Sequence, residues 1–286
     1  MILFFENGRL GNQLFQYYGL KDYFPKHKLI FFGFSSLYNS FDNIDVLFMK
    51  SKTNSLLIKL FRKILFLLSD IKILGKIIEI ESNKNFKLNI SKGILWNIFI
   101  AQNIYFQHNS YINKIINPPK LKKKYSNNAI EWLKKKNIFY NRPNLVFVHF
   151  RRGDYLSWPN KKFPAVLDLS WYEKNILIMK KKIKNPIFII MGDDTNYLKN
   201  TFKESNNLVV SENSYIVDLC IMGLCSHGIL SASSFAWWGA LYSKSFNKNK
   251  NYYIAPKFWA GHRLKKWMPK NFFTKWITYV EYSKSG

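Results

Sequence analysis

The sequence contains few cysteines and few acidic residues. Its two cysteines, Cys220 and Cys225, lie five residues apart in one apolar segment, so they form neither a disulfide framework nor a Cys-x-x-Cys metal site. Because disulfide frameworks are typical of secreted domains, we expect a reducing compartment. Aspartate and glutamate number 17 against 44 lysines and arginines, which gives a formal net charge of +27. This excess predicts a diffusely cationic surface that attracts anionic lipids, nucleotides or nucleic acid.

Long uninterrupted apolar runs are also absent. The five apolar residues at the start are too few for a signal peptide and predict a first strand. Residues 55–78 keep a helical period of apolar side chains, but Lys59, Arg62 and Lys63 interrupt the run, so it cannot span a bilayer. The pattern predicts either an ordinary domain helix, which is the commoner case, or a basic amphipathic helix that rests on a membrane. We expect a cytoplasmic protein, with peripheral contact to the inner membrane as an open possibility.

The 286 residues, 48% of them apolar, are enough for two domains. In the second half, predicted strands alternate with predicted helices, which is typical of a parallel sheet with helices on both faces. The strands are expected at 146–150, 186–191, 208–210, 228–230 and 252–256, and the helices at 171–182, 196–202, 216–226 and 235–242. In the first half we expect a strand at 104–106 and a helix at 126–136 capped by Ser126. The Asn-Arg-Pro-Asn segment at 141–144 is the candidate boundary between domains 1–140 and 141–286.

The most informative stretch is residues 145–156. A β-branched and aromatic run ends abruptly in Arg151, Arg152, Gly153 and Asp154, which predicts a buried strand that carries charge at its carboxyl end. Ligands of open α/β sheets bind at that edge. Side chains alternate along a strand, so His149 and Arg151 are the pair expected to meet one ligand, and guanidinium groups suit a phosphate. A plain ion pair between an arginine and Asp154 is the alternative, and an adhesive Arg-Gly-Asp loop is disfavoured by the apolar strand before it.

Two further polar clusters follow predicted strands. Asp193-Asp194 and Ser231 to Ser234 should meet the arginine cluster at the shared carboxyl edge. Ser233 and Ser234 begin a helix, where hydroxyls and free N–H groups bind phosphate, or where a serine simply caps the helix. Adjacent carboxylates point opposite ways on a strand and no third ligand lies nearby, so we expect Asp193 in a turn or on ligand hydroxyls, and no metal.

The N-terminal strand runs into a glycine loop and a helix. Gly8 and Gly11 are predicted to bracket a tight turn that presents N–H groups to an anion or only allows close packing. The amides of Asn12 and Gln13 at the mouth of this turn favour ligand binding.

Three motifs together resemble a known family. They are Gly-Arg-Leu-Gly-Asn-Gln-Leu-Phe-Gln-Tyr-Tyr near the start, Val-His-Phe-Arg-Arg-Gly-Asp-Tyr in the middle, and the segment 218–240 that ends in Ser-Ser-Phe-Ala-Trp-Trp-Gly-Ala. With Tyr-Ile-Ala-Pro-Lys-Phe-Trp at 253–259, they are similar in order and spread to the bacterial α-1,2-fucosyltransferases, which are inverting enzymes that use GDP-fucose. The resemblance implies a GT-B-like fold of two Rossmann-like domains with parallel sheets. The C-terminal domain would bind GDP-fucose and the N-terminal domain the acceptor.

The resemblance also implies individual roles. Arg151 would engage the diphosphate with support from Arg152, and His149 would touch the nucleoside. Asp218 would read guanine, and Ser233 or Ser234 would bind a phosphate. The acceptor would be a galactose-terminated glycan, lipid-linked forms included, with no cofactor beyond the donor and no nucleic acid. Asp154 is either the general base or the anchor of an arginine, and pairing with a guanidinium favours the anchor.

Two other functions fit parts of the sequence. The Gly-Asp-Asp at 192–194 is similar to the hairpin of RNA polymerases, but the chain is short for such an enzyme and continues into a helix pattern. A non-catalytic basic protein that binds membranes or nucleic acid would explain the charge alone. Such a protein would show no preference for GDP over ADP.

Overall fold

The computed structural model describes residues 1–49, 56–80, 86–140, 144–247 and 251–283. Contacts divide the chain into two compact units, Met1–Ile112 and Asn113–Gly286. This division comes earlier than the boundary expected at 141–144, of which 141–143 lie outside the described residues. The reason is a helix at Lys123–Lys135 that packs on the helix Tyr215–Leu224 of the second unit.

The first unit is built around a six-stranded sheet. Its elements are β1 (Ile2–Phe5), α1 (Leu10–Tyr23), β2 (Leu29–Phe32), α2 (Ser35–Ser40), β3 (Leu47–Met49), α3 (Leu56–Asp70), β4 (Leu74–Ile80), β5 (Lys87–Ser91), β6 (Leu95–Gln102) and α4 (Asn109–Ile112). The strand order is β3-β2-β1-β6-β4-β5. All pairs are parallel except β4 with β5, so this sheet departs from the expected parallel sheet at one edge.

The second unit contains a fully parallel sheet. Its elements are α5 (Lys123–Lys135), β7 (Leu145–Phe150), α6 (Leu169–Lys182), β8 (Ile187–Gly192), α7 (Thr195–Thr201), β9 (Leu208–Val210), α8 (Tyr215–Leu224), β10 (His227–Ile229), α9 (Ser234–Phe246), β11 (Tyr253–Pro256) and β12 (Thr278–Val280). The order β12-β11-β10-β7-β8-β9 is that of a Rossmann fold, with β7 as the first strand. Every residue of β7 is buried, as expected for a central strand covered on both faces. The predicted α/β class with two Rossmann-like domains is therefore confirmed.

The predicted strands and helices of the second half are confirmed to within a few residues. Two predictions in the first half are wrong. The helix expected over 55–78 ends at Asp70, because the chain after it pairs as β4 with β5 and β6. The strand expected at 104–106 is a loop, in which the Glu79 carboxylate accepts hydrogen bonds from the N–H groups of Tyr105 and Phe106 at 2.6 and 3.0 Å. Apolar periodicity could not reveal either long-range partner.

A smaller difference concerns the start of helix α5. Helix α5 begins three residues before Ser126, with Lys122 at the N-cap, so Ser126 lies inside the helix. There its hydroxyl contacts the thiol of Cys220 on α8. Within the described residues, every helix is too short or too polar to cross a bilayer.

The close packing of β10 on β7 predicts a stability difference between two glycine variants. A Cβ at Gly228 would lie 2.2 Å from Cζ of the buried Phe147. We expect Gly228→Ala to lower the free energy of unfolding by about 1–3 kcal/mol, because an overpacked core must shift. The control is Gly223→Ala in α8, where the nearest atom is 3.3 Å away, at Tyr242 Cβ. There the better helix propensity of alanine, worth about 1 kcal/mol, offsets the contact. Urea denaturation followed by tryptophan fluorescence measures both, and equal midpoints would contradict the packing argument.

Candidate functional site

The candidate site of the second unit lies where its strand order reverses. β8 and β9 follow on one side of β7, and β10, β11 and β12 follow on the other, which makes the carboxyl ends of β7 and β10 the switch point of this Rossmann fold. His149 and Ser231 bridge this point, with Nδ1 of the histidine 2.8 Å from Oγ of the serine. The N–H of Ser231 also donates to the carbonyl oxygen of His149 at 3.2 Å. Side chain and backbone therefore join the two strand ends.

His149 is neutral in this environment. Burial, with a smaller effect of the positive charge of Arg151, lowers the pKa of His149 to about 3. Its ring lies 5.6 Å from the ring of Phe235, which in turn lies 6.4 Å from Tyr215 on α8. A neutral imidazole beside the Phe235 ring can hydrogen-bond and stack, but it contributes no charge to an anion site.

Arg151 is held by two carboxylates. Its guanidinium pairs with Asp154, three residues later, and with Asp193 after β8, where Nη1 and Oδ2 are 2.8 Å apart. The guanidinium also lies 5.2 Å from the ring centroid of Tyr155. A Cβ at Gly153 would stand 2.7 Å from Oδ2 of Asp193, so a side chain there would displace this carboxylate. The ion pair that was the alternative interpretation of the sequence is thus present, and it fixes the arginine.

Arg152 is held by the carboxylate of Asp194, the residue next to Asp193. Its Nε donates to Asp194 at 3.2 Å, and its guanidinium lies 3.5 Å from the centroid of the Tyr197 ring. Asp194 also caps α7 by accepting from the N–H of Tyr197. Asp193 accepts from the backbone N–H of Arg152 at 2.8 Å. The two aspartates therefore orient the two arginines, and the described residues contain no group of three potential metal ligands.

The serine loop after β10 joins the same edge. The hydroxyl of Tyr155 donates to the carbonyl oxygen of Ala232 at 2.8 Å, which ties the arginine segment to this loop. Ser233 is the N-cap residue of α9 and Ser234 the first residue of the helix, but the side chain of Ser233 makes no capping hydrogen bond. A 13-residue helix thus points its positive end at the edge that carries the arginines.

Asp218 lies in the first turn of α8 and is buried. Its carboxylate accepts a hydrogen bond from the hydroxyl of Ser211, the residue after β9. Burial raises the pKa of Asp218 to about 7, although the bond from Ser211 acts in the opposite direction. Asp218 therefore changes charge close to neutral pH. Sequence reasoning missed Ser211, whose position at a strand end was the only available signal.

The site residues predicted in the first unit are organised differently. Helix α1 starts at Leu10, so Gly11, Asn12 and Gln13 form its first turn, and only Gly8 has the positive φ of a tight turn, at 84°. The buried amide of Gln13 donates to the carboxylate of Glu6 at 2.6 Å and to the carbonyl oxygen of Gly8 at 3.2 Å.

The same loop crosses the switch point of the first sheet, between β1 and β6. Gln107, after β6, donates to Asn12 at 2.8 Å, and the amide of Asn7 donates to the hydroxyl of Tyr105 at 2.9 Å. The buried Gln16 donates to the carbonyl oxygens of Asn7 and Ile104. These amides thus brace the loop, which is a role that the sequence pattern did not distinguish from ligand contact.

The predicted residues of the second unit fall into three groups. One network joins Arg151, Arg152, Asp154 and Asp193, and it connects through Tyr155 to the loop of the serines. His149 meets that loop at Ser231, whereas Asp218 is paired with Ser211. The residues of this unit that sequence reasoning did not single out are Tyr155, Tyr197, Ser211 and Phe235.

Comparison with known proteins gives consistent matches. The family model "Glycosyl transferase family 11" matches residues 5–281. The O-antigen biosynthesis glycosyltransferase WbnK of Escherichia coli is 31% identical over 137 residues, which are 46% of this chain and 44% of that protein. The alpha-1,2-colitosyltransferase of Escherichia coli is 32% identical over 122 residues, 41% of either chain. The chain thus spans less than half the length of the curated relatives that it matches.

A solved structure supports the fold. The crystal structure of POFUT1 in complex with GDP superposes with a TM-score of 0.53 at 11% identity, and covers 88% of this chain and 97% of that one. Similarity at this identity concerns the fold alone. The family match covers nearly the whole sequence, and it includes the strand, the arginines and the serine loop of the candidate site. By that match, the chain belongs to glycosyl transferase family 11.

Proposed function

We propose that this protein is an inverting galactoside α-1,2-fucosyltransferase that moves L-fucose from GDP-fucose to the 2-hydroxyl of a terminal β-galactose. The observation that carries the proposal is the pair of arginines at the switch point of a Rossmann fold, held by Asp154, Asp193 and Asp194 beside the N-terminus of α9. Fixed guanidinium groups and helix N–H groups are what a nucleoside diphosphate needs. The family match and the alpha-1,2-colitosyltransferase support the linkage. The galactoside alpha-(1,2)-fucosyltransferase 2 of Rattus norvegicus, 28% identical over 101 residues, supports both the linkage and the transferred sugar.

The donor would be bound by the second unit. Arg151 engages the diphosphate together with Ser233 or Ser234 and the N-terminus of α9, and Arg152 supports the charge. His149 contacts the nucleoside through hydrogen bonding or stacking, in keeping with its neutral ring. Asp218 in its ionised form accepts two hydrogen bonds from the guanine base.

The reaction follows from charge development. The acceptor hydroxyl attacks the anomeric carbon on the face opposite GDP and gives its proton to a general base. The bond to the diphosphate breaks, and the configuration inverts through an oxocarbenium-like transition state. Negative charge grows on the leaving diphosphate, and Arg151 and the positive end of α9 stabilise it. In this scheme no metal is needed, because side chains and helix N–H groups supply the positive charge. Asp154 orients Arg151, and this anchoring role is the one that its ion pair favours.

The acceptor would be handled by the first unit. We infer an acceptor glycan that ends in galactose, in lipid-linked form at the cytoplasmic face of the inner membrane. A relative named for O-antigen biosynthesis supports this substrate class. The glycine loop with Asn12 lies at the switch point of the first sheet, which is the position where α/β sheets bind ligands.

A transfer assay tests the proposed function. The protein is incubated with GDP-fucose and a panel of galactosides, and the linkage of each product is read by NMR. We expect a fucosyl group on O2 of terminal β-galactose, in the presence of EDTA as well. A colitose donor belongs in the panel, because one relative is named for colitose transfer. Transfer to none of the galactosides, with GDP still bound, would overturn the acceptor assignment.

The arginine network generates a prediction for two variants. Arg151→Lys keeps the charge but loses the planar fork, so we expect kcat/KM to fall by about 5- to 150-fold, or roughly 1–3 kcal/mol. Asp154→Asn removes one of the two carboxylates that hold Arg151, so GDP affinity and turnover should fall together. Steady-state kinetics and GDP titration calorimetry measure both effects.

A matched control is Arg263→Lys. Arg263 binds Asp168 at 3.0 Å and the carbonyl oxygens of Pro164 and Val166, so its substitution should affect stability and leave GDP binding in place. Unchanged turnover of Arg151→Lys would argue against the diphosphate role. A fall of about 10²–10⁴ in turnover of Asp154→Asn, with constant GDP affinity, would make Asp154 the general base instead of the anchor.

The raised pKa of Asp218 predicts a pH-dependent nucleotide preference. In the free protein this carboxyl is protonated below about pH 7 and ionised above it. Guanine recognition requires the ionised form, so the ratio of GDP affinity to UDP affinity should fall as the pH is lowered from 8 to 5.5, by up to about tenfold per pH unit. Both nucleotides carry the same diphosphate, so the ratio cancels its titration. Asp218→Asn should abolish the preference at every pH, and a preference for GDP that survives in this variant would remove the assignment.

A further inference from the structure

Helix α3 leaves a broad apolar face exposed to solvent. The outward apolar side chains recur at intervals of three and four residues, which places them on one face of the helix. They are Leu56, Leu57, Leu60, Ile64, Leu67 and Ile71, the residue just after the helix, with exposures from 46% at Ile64 to 84% at Leu56. The edge that packs on the sheet is narrow, and Leu65 and Ser69 are its buried members. The unit is therefore folded without covering the most apolar face of this helix.

A second exposed apolar segment adjoins the end of α3. The backbone N–H groups of Ile94 and Leu95 donate to the carbonyl oxygens of Lys72 and Ile73, each at 2.8 Å. Ile94 is 77% exposed and Trp96 is 67% exposed. We call the apolar face of α3 together with Ile94, Leu95 and Trp96 the α3 surface. A contiguous exposed surface of this kind marks an interaction site.

The charges around the α3 surface are almost all positive. The segments 56–76 and 92–96 carry six basic side chains, at Lys59, Arg62, Lys63, Lys72, Lys76 and Lys92, and a single acidic one, Asp70. Asp70 is paired with Lys76 at 2.6 Å. Lys59 and Lys63 are exposed, and Arg62 lies over the ring of Phe66 at 5.0 Å. Within these two segments basic side chains thus outnumber acidic ones six to one, and the apolar face is bordered by cations.

We propose that the α3 surface docks on an anionic phospholipid bilayer. A helix with leucines and isoleucines on one face and lysines and arginines at its border is the pattern of an interfacial helix, and tryptophan is enriched at the same depth of a membrane. Long basic side chains can reach phosphate groups while their stems lie along apolar surface. A second copy of the chain fits less well, because a two-fold contact would bring the two cationic borders together.

This inference goes beyond the proposed function and does not depend on it. Membrane docking of the α3 surface needs neither the arginines after β7 nor glycosyl transfer. Membrane docking assigns part of the lysine excess to one surface. It also favours a membrane over nucleic acid as the partner, because bound nucleic acid would leave the apolar face in water.

Vesicle flotation with the full chain tests the proposal. We expect the protein to float with vesicles that contain about 30 mol% anionic phospholipid and much less with purely zwitterionic ones. Salt at roughly 0.5 M should weaken binding, because it screens the lysines. The apolar contact is tested by Leu60→Asp combined with Leu67→Asp, for which we expect at least about tenfold weaker partition into vesicles.

The matched control for the apolar contact is Leu177→Asp on α6. Leu177 is 58% exposed, against 57% for Leu60 and 60% for Leu67, so an aspartate at this position should destabilise the fold equally little. The Leu177→Asp variant should bind vesicles like the wild type. All variants must keep the wild-type thermal unfolding temperature and circular dichroism spectrum, which separates lost docking from lost folding.

A charge pair completes the design. Lys59→Glu with Lys63→Glu should abolish the preference for anionic vesicles, whereas Lys134→Glu with Lys135→Glu on α5 should preserve it. The proposal is overturned if the wild type fails to float with anionic vesicles, or if the variant at Leu60 and Leu67 floats equally well. It is also overturned if sedimentation equilibrium shows a dimer that this variant dissociates, since a second copy would then cover the α3 surface.

Discussion

The contact of Asp193 with Arg151 past a glycine is the interaction on which the candidate site depends. The carboxylate belongs to the residue just after β8, the strand beside β7. It reaches the guanidinium because Gly153 has no side chain, and a Cβ there would lie 2.7 Å from it. Asp193 also accepts from the N–H of Arg152, so one carboxylate orients the chain at both arginines. Two cations after one strand repel each other, and neighbouring carboxylates make their proximity stable before an anion arrives. A site of this kind is preorganised, which lowers the cost of binding a phosphate.

Both units use the reversal point of their sheet in the same manner. In the second unit, His149 and Ser231 join the ends of β7 and β10. In the first, Asn12 and Gln107 join the loops after β1 and β6. At such a point the two connections leave the sheet in opposite directions, and a crevice opens between them. Polar groups at the strand ends would have no protein partner across this crevice. Side-chain bridges across the reversal satisfy these groups and hold the loops for a ligand.

Charge has different roles in different parts of the molecule. The arginines of the site are paired with aspartates, and burial keeps His149 neutral and brings Asp218 close to its titration point. The large positive excess of the chain therefore resides in surface lysines. At the α3 surface these lysines border an exposed apolar face, and the combination is more specific than charge alone. The net charge of +27 did not distinguish this arrangement from a uniformly basic surface.

The sequence by itself determined the α/β class, the alternation of strands and helices in the second half, and the arrival of Arg151, Asp193 and Ser233 at one edge. These follow from local rules, because period and turn residues mark each strand, and parallel strands share their carboxyl ends. Only the tertiary structure decided which partner each polar group takes. Gln13 braces a loop, Asp193 binds arginines, and Ser211 donates to Asp218. These contacts join side chains from different elements, and the periodicity of a sequence does not predict which side chains meet. The same holds for residues 55–78, where apolar spacing fits a helix throughout. Pairing with β5 and β6 makes the last part a strand, and the sheet leaves the apolar face of α3 exposed.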